Sequence, residues 1–303
     1  MAQEKCSLEQ NGGHLFELLA PAKWHMPVVF NSPHSGQFMP QSFVAQSRLG
    51  QSDLRQSEDR AVDELFLGCL DAGAPMLRAL ASRAYVDLNR EPYELDQRMF
   101  LEPLPGFMNP GSPRVAAGFG TIPRLVGDGL DIYRGRISLL DALARIDTYY
   151  KPYHRALAIL LGEAQQAEGL VLLVDCHSMP ASAAKPGGAN STASDIVLGD
   201  RFGLACAAEI SLWIEQFFAT RGLRTVRNKP YAGGFITETY GAPHHGRHVI
   251  QIEINRSLYM NEVTAALTQG FEVMRSMLDV FAIELVKFMK EFKSINNFKQ
   301  AAE

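Results

Sequence analysis

The sequence predicts an α/β layer fold built around a largely parallel sheet. Two observations lead to this prediction. Short apolar, β-branched runs alternate along the chain with longer segments of helical periodicity, which is the pattern of strands joined by helical crossovers. In addition, 47% of the 303 residues are hydrophobic and 20% are charged, a composition typical of a globular protein with a substantial core.

The alternation places the elements as follows. The predicted strands are 27–30, 75–82, 84–88, 170–175, 194–199 and 248–254, and the predicted helices are 58–71, 136–167, 202–220 and about 261–293. Gly- and Pro-rich segments at 102–131, 179–193 and 228–247 are long for simple connections and contain aromatic residues and arginines. We therefore expect them to form the rim of a site in a single catalytic domain, 1–303, which begins with a short extension, 1–25.

Charge and composition narrow the class of protein. A net charge of −4 argues against a general nucleic-acid binder. The four cysteines are widely spaced and form no C-x-x-C pair, which favours reduced thiols over a disulfide framework. The first residues lack the order of a signal peptide, and no apolar run reaches the roughly 18 residues that span a bilayer. We expect a cytoplasmic protein that acts on a small molecule, with no nucleic-acid or membrane partner; its oligomeric state stays open.

Polar residues repeatedly follow the predicted strands. His34 follows VVF within NSPHSG, His177 follows LVLLVD, and Asn89 with Arg90 follows AYVDL. A single histidine in a turn is more often structural than functional. Ligands of open α/β sheets, however, gather beyond the carboxyl ends of the strands, and three such cases predict a site there.

Two histidines and one carboxylate are the usual ligand set of a catalytic zinc ion, whose fourth position is left to water. Asp59 is our candidate carboxylate, because it lies in the first turn of the predicted helix 58–71 and shares a helix face with Phe66 and Leu70. An acidic residue in a first turn also has an ordinary role, since it interacts favourably with the helix dipole. Glu58 and Asp63 remain alternatives.

Glu253 is a candidate general base. In HVIQIEI the isoleucines face one side of the strand, while Gln251, Glu253 and Asn255 face the other. A solvated face explains this alternation if the strand lies at an edge of the sheet. If the strand is central, burial raises the pKa of Glu253 and suits it to accept a proton.

Eight segments of the chain, in order, resemble the motif series of the N-formylglutamate amidohydrolase (N-formylglutamate deformylase) family. They are NSPHSG, SEDRAVDELF, VDLNREP, GFGTIPR, DCHSMP, VLGDRFG, NKPYAGGFITETYG and QIEINRSLYM, from about residue 26 to 260. The resemblance implies a three-layer α/β/α fold with a mixed sheet, of the zinc-carboxypeptidase-like, phosphorylase/hydrolase-like type. It also implies hydrolysis of N-formyl-L-glutamate to formate and L-glutamate, a step of histidine degradation.

The resemblance also implies roles for individual residues. His34, Asp59 and His177 become ligands of a divalent metal, expected to be zinc, and Glu253 becomes the catalytic carboxylate. Asn89 and Arg90 resemble a pair that holds a substrate α-carboxylate. Candidates for a second carboxylate partner are Arg124, Arg134 and Arg256, and candidates for a donor to the developing oxyanion are His244, His245 and Arg247.

Two rival functions stay open at this stage. One is a metallo-amidase or carboxypeptidase for another N-acyl amino acid or a cell-wall peptide, which substrate profiling would separate. The other is a non-catalytic binder of an acidic metabolite. Glu253 argues against the binder, because binding alone needs no general base.

Overall fold

A computed structural model describes residues 4–6, 16–21, 24, 27–127, 129–184 and 193–301. Eight strands form one mixed sheet, which we number in chain order: β1 (Glu4–Cys6), β2 (Phe16–Ala20), β3 (Val28–Ser32), β4 (Met76–Ala79), β5 (Val171–Met179), β6 (Ile196–Gly199), β7 (Thr225–Arg227) and β8 (Arg247–Asn255). Their spatial order is β1-β2-β4-β3-β5-β8-β6-β7. Two short hairpins lie outside this sheet, Leu125–Val126 with Leu130–Asp131 and Met260–Asn261 with Ala266–Leu267.

The centre of the sheet is parallel. Strands β4, β3, β5 and β8 pair in parallel. On one side, β1 pairs antiparallel with β2, and β2 pairs antiparallel with β4. On the other side, β6 pairs antiparallel with β8 and parallel with the edge strand β7. The carboxyl ends of the four central strands therefore meet at one edge of the sheet. This confirms the prediction of a mixed sheet with a parallel core.

Helices cover both faces of the sheet. The α-helices are Gln41–Gln46, Gln51–Leu54, Val62–Leu65, Pro113–Ala116, Leu139–Arg145, Lys151–Glu168, Ala208–Ala219, Phe235–Tyr240 and Gly270–Ala301. A π-helical segment, Ile146–Tyr150, joins two of them into one long helix. Single 3-10 turns are Arg55–Ser57, Leu67–Cys69, Gln97–Met99, Pro243–His245 and Arg256–Leu258.

Alternate residues of each central strand contribute to two separate cores. In β3, Phe30 packs in a cluster with residues of the helices Ala208–Ala219 and Gly270–Ala301. Its neighbour Val29 packs in the other cluster, with the long helix that ends at Glu168. This alternation is the period-2 geometry of a strand. Both faces of the sheet are thus covered by helices, and the three-layer α/β/α prediction is confirmed.

Three predicted elements differ in the structure. The run 84–88 forms a turn rather than a strand, and it follows the end of β4. The predicted helix 58–71 is reduced to Val62–Leu65 and a 3-10 turn, because Ala61 has a left-handed φ of 57° that interrupts it. Within the predicted extension 1–25, β1 and β2 add two strands to the sheet edge.

The long helices match their predictions more closely. The prediction 136–167 corresponds to the continuous helix from Leu139 to Glu168. The predictions 202–220 and 261–293 start too early, since the helices begin at Ala208 and Gly270. Of the predicted loop 179–193, residues 185–192 lie outside the described part of the chain. Among the helices that are described, none has the length and apolar character needed to cross a bilayer.

We expect that a side chain at position 36 would destabilise the fold. A Cβ atom there would lie 2.4 Å from the carbonyl oxygen of Ala81, which is a backbone contact that cannot move aside. Gly36→Ala should lower the free energy of unfolding by about 1–3 kcal/mol. Gly162→Ala should raise it by about 0.5–1 kcal/mol, because Gly162 lies on an exposed helical surface with open space around it. Denaturant unfolding of both variants checks the contrast, and equal effects of the two would contradict it.

Candidate metal centre and active site

A cavity of about 520 Å³ opens at the carboxyl ends of β3, β5 and β8. His34, His177 and Glu253 line its floor, each from one of these strands or the turn that follows it. The rim comes from the Gly- and Pro-rich segments 102–131 and 228–247, which supply Arg114, Phe119 and Tyr231 among others. The position agrees with the general location of ligand sites in open α/β sheets.

His34, Asp59 and His177 come together on the floor of this cavity. One ligand atom from each lies within 4.8 Å of the others. Asp59 Oδ2 is 3.4 Å from His34 Nδ1 and 2.9 Å from His177 Nδ1. The three side chains are between 1% and 3% exposed, so solvent does not satisfy them.

The backbone explains how Asp59 reaches the two histidines. The Asp59 amide donates a 3.1 Å hydrogen bond to the carbonyl of His34. The Ser35 hydroxyl donates to the Asp59 carbonyl at 2.9 Å. The turn after β3 is thereby fastened to the segment that carries the carboxylate, although the two are distant in sequence.

Each histidine has a second carboxylate behind it. His34 Nε2 lies 2.7 Å from Asp87 Oδ1, and His177 Nε2 lies 3.0 Å from Asp175 Oδ2. These acceptors favour a proton on each Nε2, so each imidazole, when neutral, directs its Nδ1 lone pair at the centre of the site. Outer carboxylates of this kind orient metal-binding histidines and increase their basicity.

The protonation of the site follows from its charges. Burial would raise the pKa of Asp59, but the adjacent imidazoles of His177 and His34 hold it well below its usual range. Burial would lower the pKa of His177, but Asp175 and Asp59 raise it well above its ordinary value. The Asp59 carboxylate is therefore ionised and requires positive charge beside it.

These residues fit a divalent metal ion. The His34 Nδ1 atom is buried and has no hydrogen-bond partner in the described part of the protein, although an orphaned buried polar atom is costly. Two histidine nitrogens and one carboxylate oxygen form the ligand set of open catalytic zinc sites. A cation within reach of the three atoms would satisfy His34 Nδ1 and would face the Asp59 oxygen that does not pair with Arg256.

The alternative carboxylates have other partners. Asp63 forms a 2.9 Å ion pair with Arg78. Glu58 is buried against Arg55 at 3.8 Å, and burial raises its pKa to about 7. The expectation that Asp59 begins a helix is wrong, because Asp59 lies before the left-handed residue Ala61 in a turn.

Glu253 lies beside the histidine pair on the central strand β8. It is opposite His177 in the parallel register and 6% exposed. Gln251 donates a 2.7 Å hydrogen bond to Glu253 Oε1 and is itself held by the Gly234 amide at 2.8 Å. Burial raises the pKa of Glu253 to about 7. The carboxylate can therefore take up and release a proton near neutral pH.

Asn89 and Arg90 both line the cavity, but they face different partners. Asn89 Nδ2 is 3.2 Å from His177 Nε2, and its Oδ1 accepts a 2.8 Å hydrogen bond from the Ile236 amide. Arg90 donates from Nε to the carbonyl of Phe119 and from Nη1 to the carbonyl of Asn89, both at 2.8 Å. Its Nη2 atom makes no hydrogen bond within the described residues; the nearest carboxylate oxygen, on Asp87, is 3.6 Å away.

Arg256 reaches the cavity from the turn after β8. It donates to Asp59 Oδ1 and to the Ser178 hydroxyl, both at 3.0 Å, and to the Gln56 carbonyl at 3.4 Å. Ser178 in turn donates to the same Asp59 oxygen at 3.2 Å. All three guanidinium nitrogens thus face protein groups, and Asp59 Oδ2 is left for the two histidines.

Several sequence candidates lie elsewhere. His244 and His245 are exposed in a 3-10 turn at the amino end of β8, which is the opposite end from Glu253. Arg124 pairs with Asp96 and Asp131, and Arg134 is exposed. None of the candidates Arg124, Arg134, His244, His245 and Arg247 is among the described residues that line the cavity.

Sequence reasoning missed four cavity-facing or supporting groups. They are Arg83, Asp87, Arg114 and Asp175. The sequence predicts AYVDL to be a strand, and this prediction assigns no functional role to Asp87, the fourth residue of that run. Its place two residues before Asn89, in the motif that also contains Arg90, was the available signal.

The sequence and the fold of this chain both resemble those of known proteins. The family model for N-formylglutamate amidohydrolase matches residues 26–260. An N-formylglutamate deformylase of Pseudomonas aeruginosa is 26% identical over 249 residues, covering 81% of this chain and 86% of the relative. One of Pseudomonas putida is 24% identical over 240 residues, covering 78% of this chain and 83% of the relative.

Two solved structures resemble the fold. The crystal structure of N-formylglutamate amidohydrolase from Ralstonia eutropha JMP134 is 32% identical, with a TM-score of 0.86, and covers 91% of this chain and 99% of its own. The gene product Atu2144 from Agrobacterium tumefaciens is 18% identical, with a TM-score of 0.63, and covers 92% and 97%. The second likeness concerns the fold alone.

The purified protein should retain about one divalent metal ion per chain when it is prepared without chelator. His34→Ala and His177→Ala should each bind that metal at least about 10²-fold more weakly. Loss of a residue that only hydrogen-bonds to a metal ligand already lowers metal affinity about 10–100-fold, and loss of a ligand should cost more. His154→Ala is the control: His154 is a partly buried histidine outside the cavity lining, and it bonds to the Leu88 carbonyl and Tyr240. Elemental analysis and calorimetric titration check this, and undiminished binding by the first two variants would remove the proposed site.

Proposed function

This chain belongs to the N-formylglutamate amidohydrolase family, and we propose that it hydrolyses N-formyl-L-glutamate to formate and L-glutamate. The observation that carries the proposal is the buried set of His34, Asp59 and His177 with Glu253 beside it, in one cavity lined by arginines. This set can activate water next to an anionic substrate.

His34, Asp59 and His177 would hold the metal, which we propose to be zinc on the basis of their donor atoms. When bound, such an ion supplies Lewis-acid activation of water and polarises the formyl carbonyl. Asp87 and Asp175 keep the two imidazoles in the tautomer that offers Nδ1. Arg256 and Ser178 hold the far oxygen of Asp59, so only Oδ2 faces inward.

Glu253 would act as the general base and then as the general acid. Gln251 occupies Oε1, which leaves Oε2 to accept a proton from the attacking water. The water oxygen bonds to the formyl carbon, the C–N bond breaks, and Glu253 delivers the proton to the departing nitrogen of glutamate. Formate leaves with the oxygen of the water. A carboxyl pKa near neutrality suits both directions of this proton transfer.

Arg90 would bind the α-carboxylate of the substrate. Two of its nitrogens are fastened to the carbonyls of Phe119 and Asn89, so the guanidinium is fixed before substrate arrives. Preorganised contacts of this kind reduce the entropy that binding must overcome. The Nη2 side remains available toward the cavity.

We further propose that one catalytic domain carries this activity and that it is cytoplasmic. Support for the compartment comes from Cys69, Cys176 and Cys206, which are free and buried, as expected where thiols stay reduced.

Glu253→Gln should retain the fold and the metal but lose about 10²–10⁴-fold in kcat, because an amide cannot take the proton of water. Glu58→Gln is the matched control. Glu58 is also buried with a pKa raised to about 7, but it does not line the cavity, so its variant should keep turnover. Formate release measures both. A loss below tenfold for Glu253→Gln would contradict the assignment, and a large fall in Tm would indicate a structural role instead.

The pH dependence of kcat/KM should show an acid limb due to Glu253. Burial raises its pKa from 4.5 to about 7, so the base is protonated and inactive below that value. A bound cation favours the carboxylate, so the apparent pKa should lie between 4.5 and 7, with activity falling as pH drops through it. The limb should be absent from the residual activity of Glu253→Gln. An acid limb of unchanged position in that variant would assign it to another group.

A further inference from the structure

Four arginines line the cavity, and they differ in how much of their hydrogen-bonding capacity the protein uses. They are Arg83, Arg90, Arg114 and Arg256. An arginine whose donors are already bonded to protein groups holds the site together. One whose donors are unused can recognise an anion that arrives with the substrate. Counting these bonds therefore separates structural arginines from substrate-binding ones.

Two of the four, Arg256 and Arg83, direct their donors to protein groups, and Arg90 does so in part. Arg256 uses all three nitrogens on protein oxygens. Arg83 donates to Asp87 Oδ2 at 2.8 Å and to the Ser57 carbonyl at 3.3 Å. Arg90 donates to two backbone carbonyls and keeps one nitrogen for an α-carboxylate.

Arg114 makes no side-chain hydrogen bond within the described part of the chain. Its nearest anionic neighbour is Glu94 Oε2, at 3.8 Å, which is too far for a hydrogen bond. Glu94 Oε2 is itself buried without a hydrogen-bond partner among the described residues. The Arg114 side chain is 37% exposed, whereas that of Arg90 is 16% exposed. Arg114 is thus a cation at the mouth of the cavity whose side-chain donors make no hydrogen bond with the described residues.

The backbone fixes Arg114 relative to Arg90. Arg114 lies in the short helix Pro113–Ala116, which Ser112 caps by accepting the Val115 amide. The Phe119 amide donates to the Arg114 carbonyl at 2.8 Å, and the Phe119 carbonyl accepts from Arg90 Nε at 2.8 Å. One residue therefore bridges the two arginines, and Phe119 itself lines the cavity between the segments that carry them.

We propose that Arg114 binds the side-chain carboxylate of the substrate and so determines the preference for an acidic amino acid. This inference rests on the proposed function, in which Arg90 takes the α-carboxylate. A dicarboxylate engages both guanidinium groups. Its side-chain carboxylate accepts hydrogen bonds from Arg114, which Glu94 is too far away to accept. A substrate with a neutral side chain offers no such acceptor, so Arg114 keeps the contacts that it has in the free protein.

The test compares N-formyl-L-glutamate with N-formyl-L-alanine. Arg114→Gln should lower kcat/KM about 10- to 100-fold for the glutamate derivative, mainly through KM, because one charge-assisted contact is lost. The alanine derivative should be unaffected. Arg114→Lys should fall between, since it keeps the charge without the planar fork. Arg90→Lys should reduce both substrates alike, because both have an α-carboxylate.

Arg124→Gln is the matched control. Arg124 belongs to the same rim segment, but its donors are bonded to Asp96 and Asp131 and it does not line the cavity. Its variant should keep the wild-type ratio of the two substrates. The inference would be overturned if Arg114→Gln and Arg114→Lys kept the wild-type ratio of kcat/KM for the two substrates, or lost activity equally on both. Either result would leave the proposed reaction intact. A wild-type protein without preference for the glutamate derivative would count against the proposed substrate and against Arg114 as its selector.

Discussion

The site depends on one buried anion, the carboxylate of Asp59. A charge that is removed from water is stable only when it is paired and hydrogen-bonded. Two imidazoles approach one of its oxygens, and Arg256 and Ser178 bond to the other. These four partners come from three distant parts of the chain, because His177 and Ser178 are adjacent in β5. Pairing Asp59 therefore brings the turn after β3, the end of β5 and the turn after β8 toward one point.

The parallel centre of the sheet makes this convergence possible. Because β3, β5 and β8 run in the same direction, their carboxyl ends, which carry the polar residues of the site, share one edge. A second layer of carboxylates, Asp87 and Asp175, then orients the two histidines from behind. Burial acts differently on Glu253, whose main hydrogen bond comes from a neutral amide, so its pKa rises instead of falling. Neighbouring carboxylates thus acquire distinct roles through their partners.

The rim segments are firmly attached to the floor of the cavity. Phe119 connects the helix Pro113–Ala116 to Arg90 through hydrogen bonds of its backbone. Asn89 accepts a hydrogen bond from the Ile236 amide, which belongs to the rim segment 228–247. Gly234 lies so close to Asn89 that a Cβ atom would stand 2.4 Å from its amide group. The long loops are therefore tied to the floor of the site by hydrogen bonds and close packing.

The sequence by itself determined the layer architecture, the buried strands and the residues from which the metal set is drawn, since these depend on local apolar patterns and on which polar residues follow a strand. It misplaced the strand at 84–88 and the helix at 58–71, where buried contacts of Asp87 and the left-handed Ala61 override local propensity. Only the tertiary structure showed that Asp59, and not Glu58 or Asp63, lies beside His34 and His177, and that Arg114, unlike Arg124 and Arg256, makes no side-chain hydrogen bond among the described residues. The physical reason is that an ionisable side chain acquires its role from the partners that satisfy it, and those partners are distant in sequence.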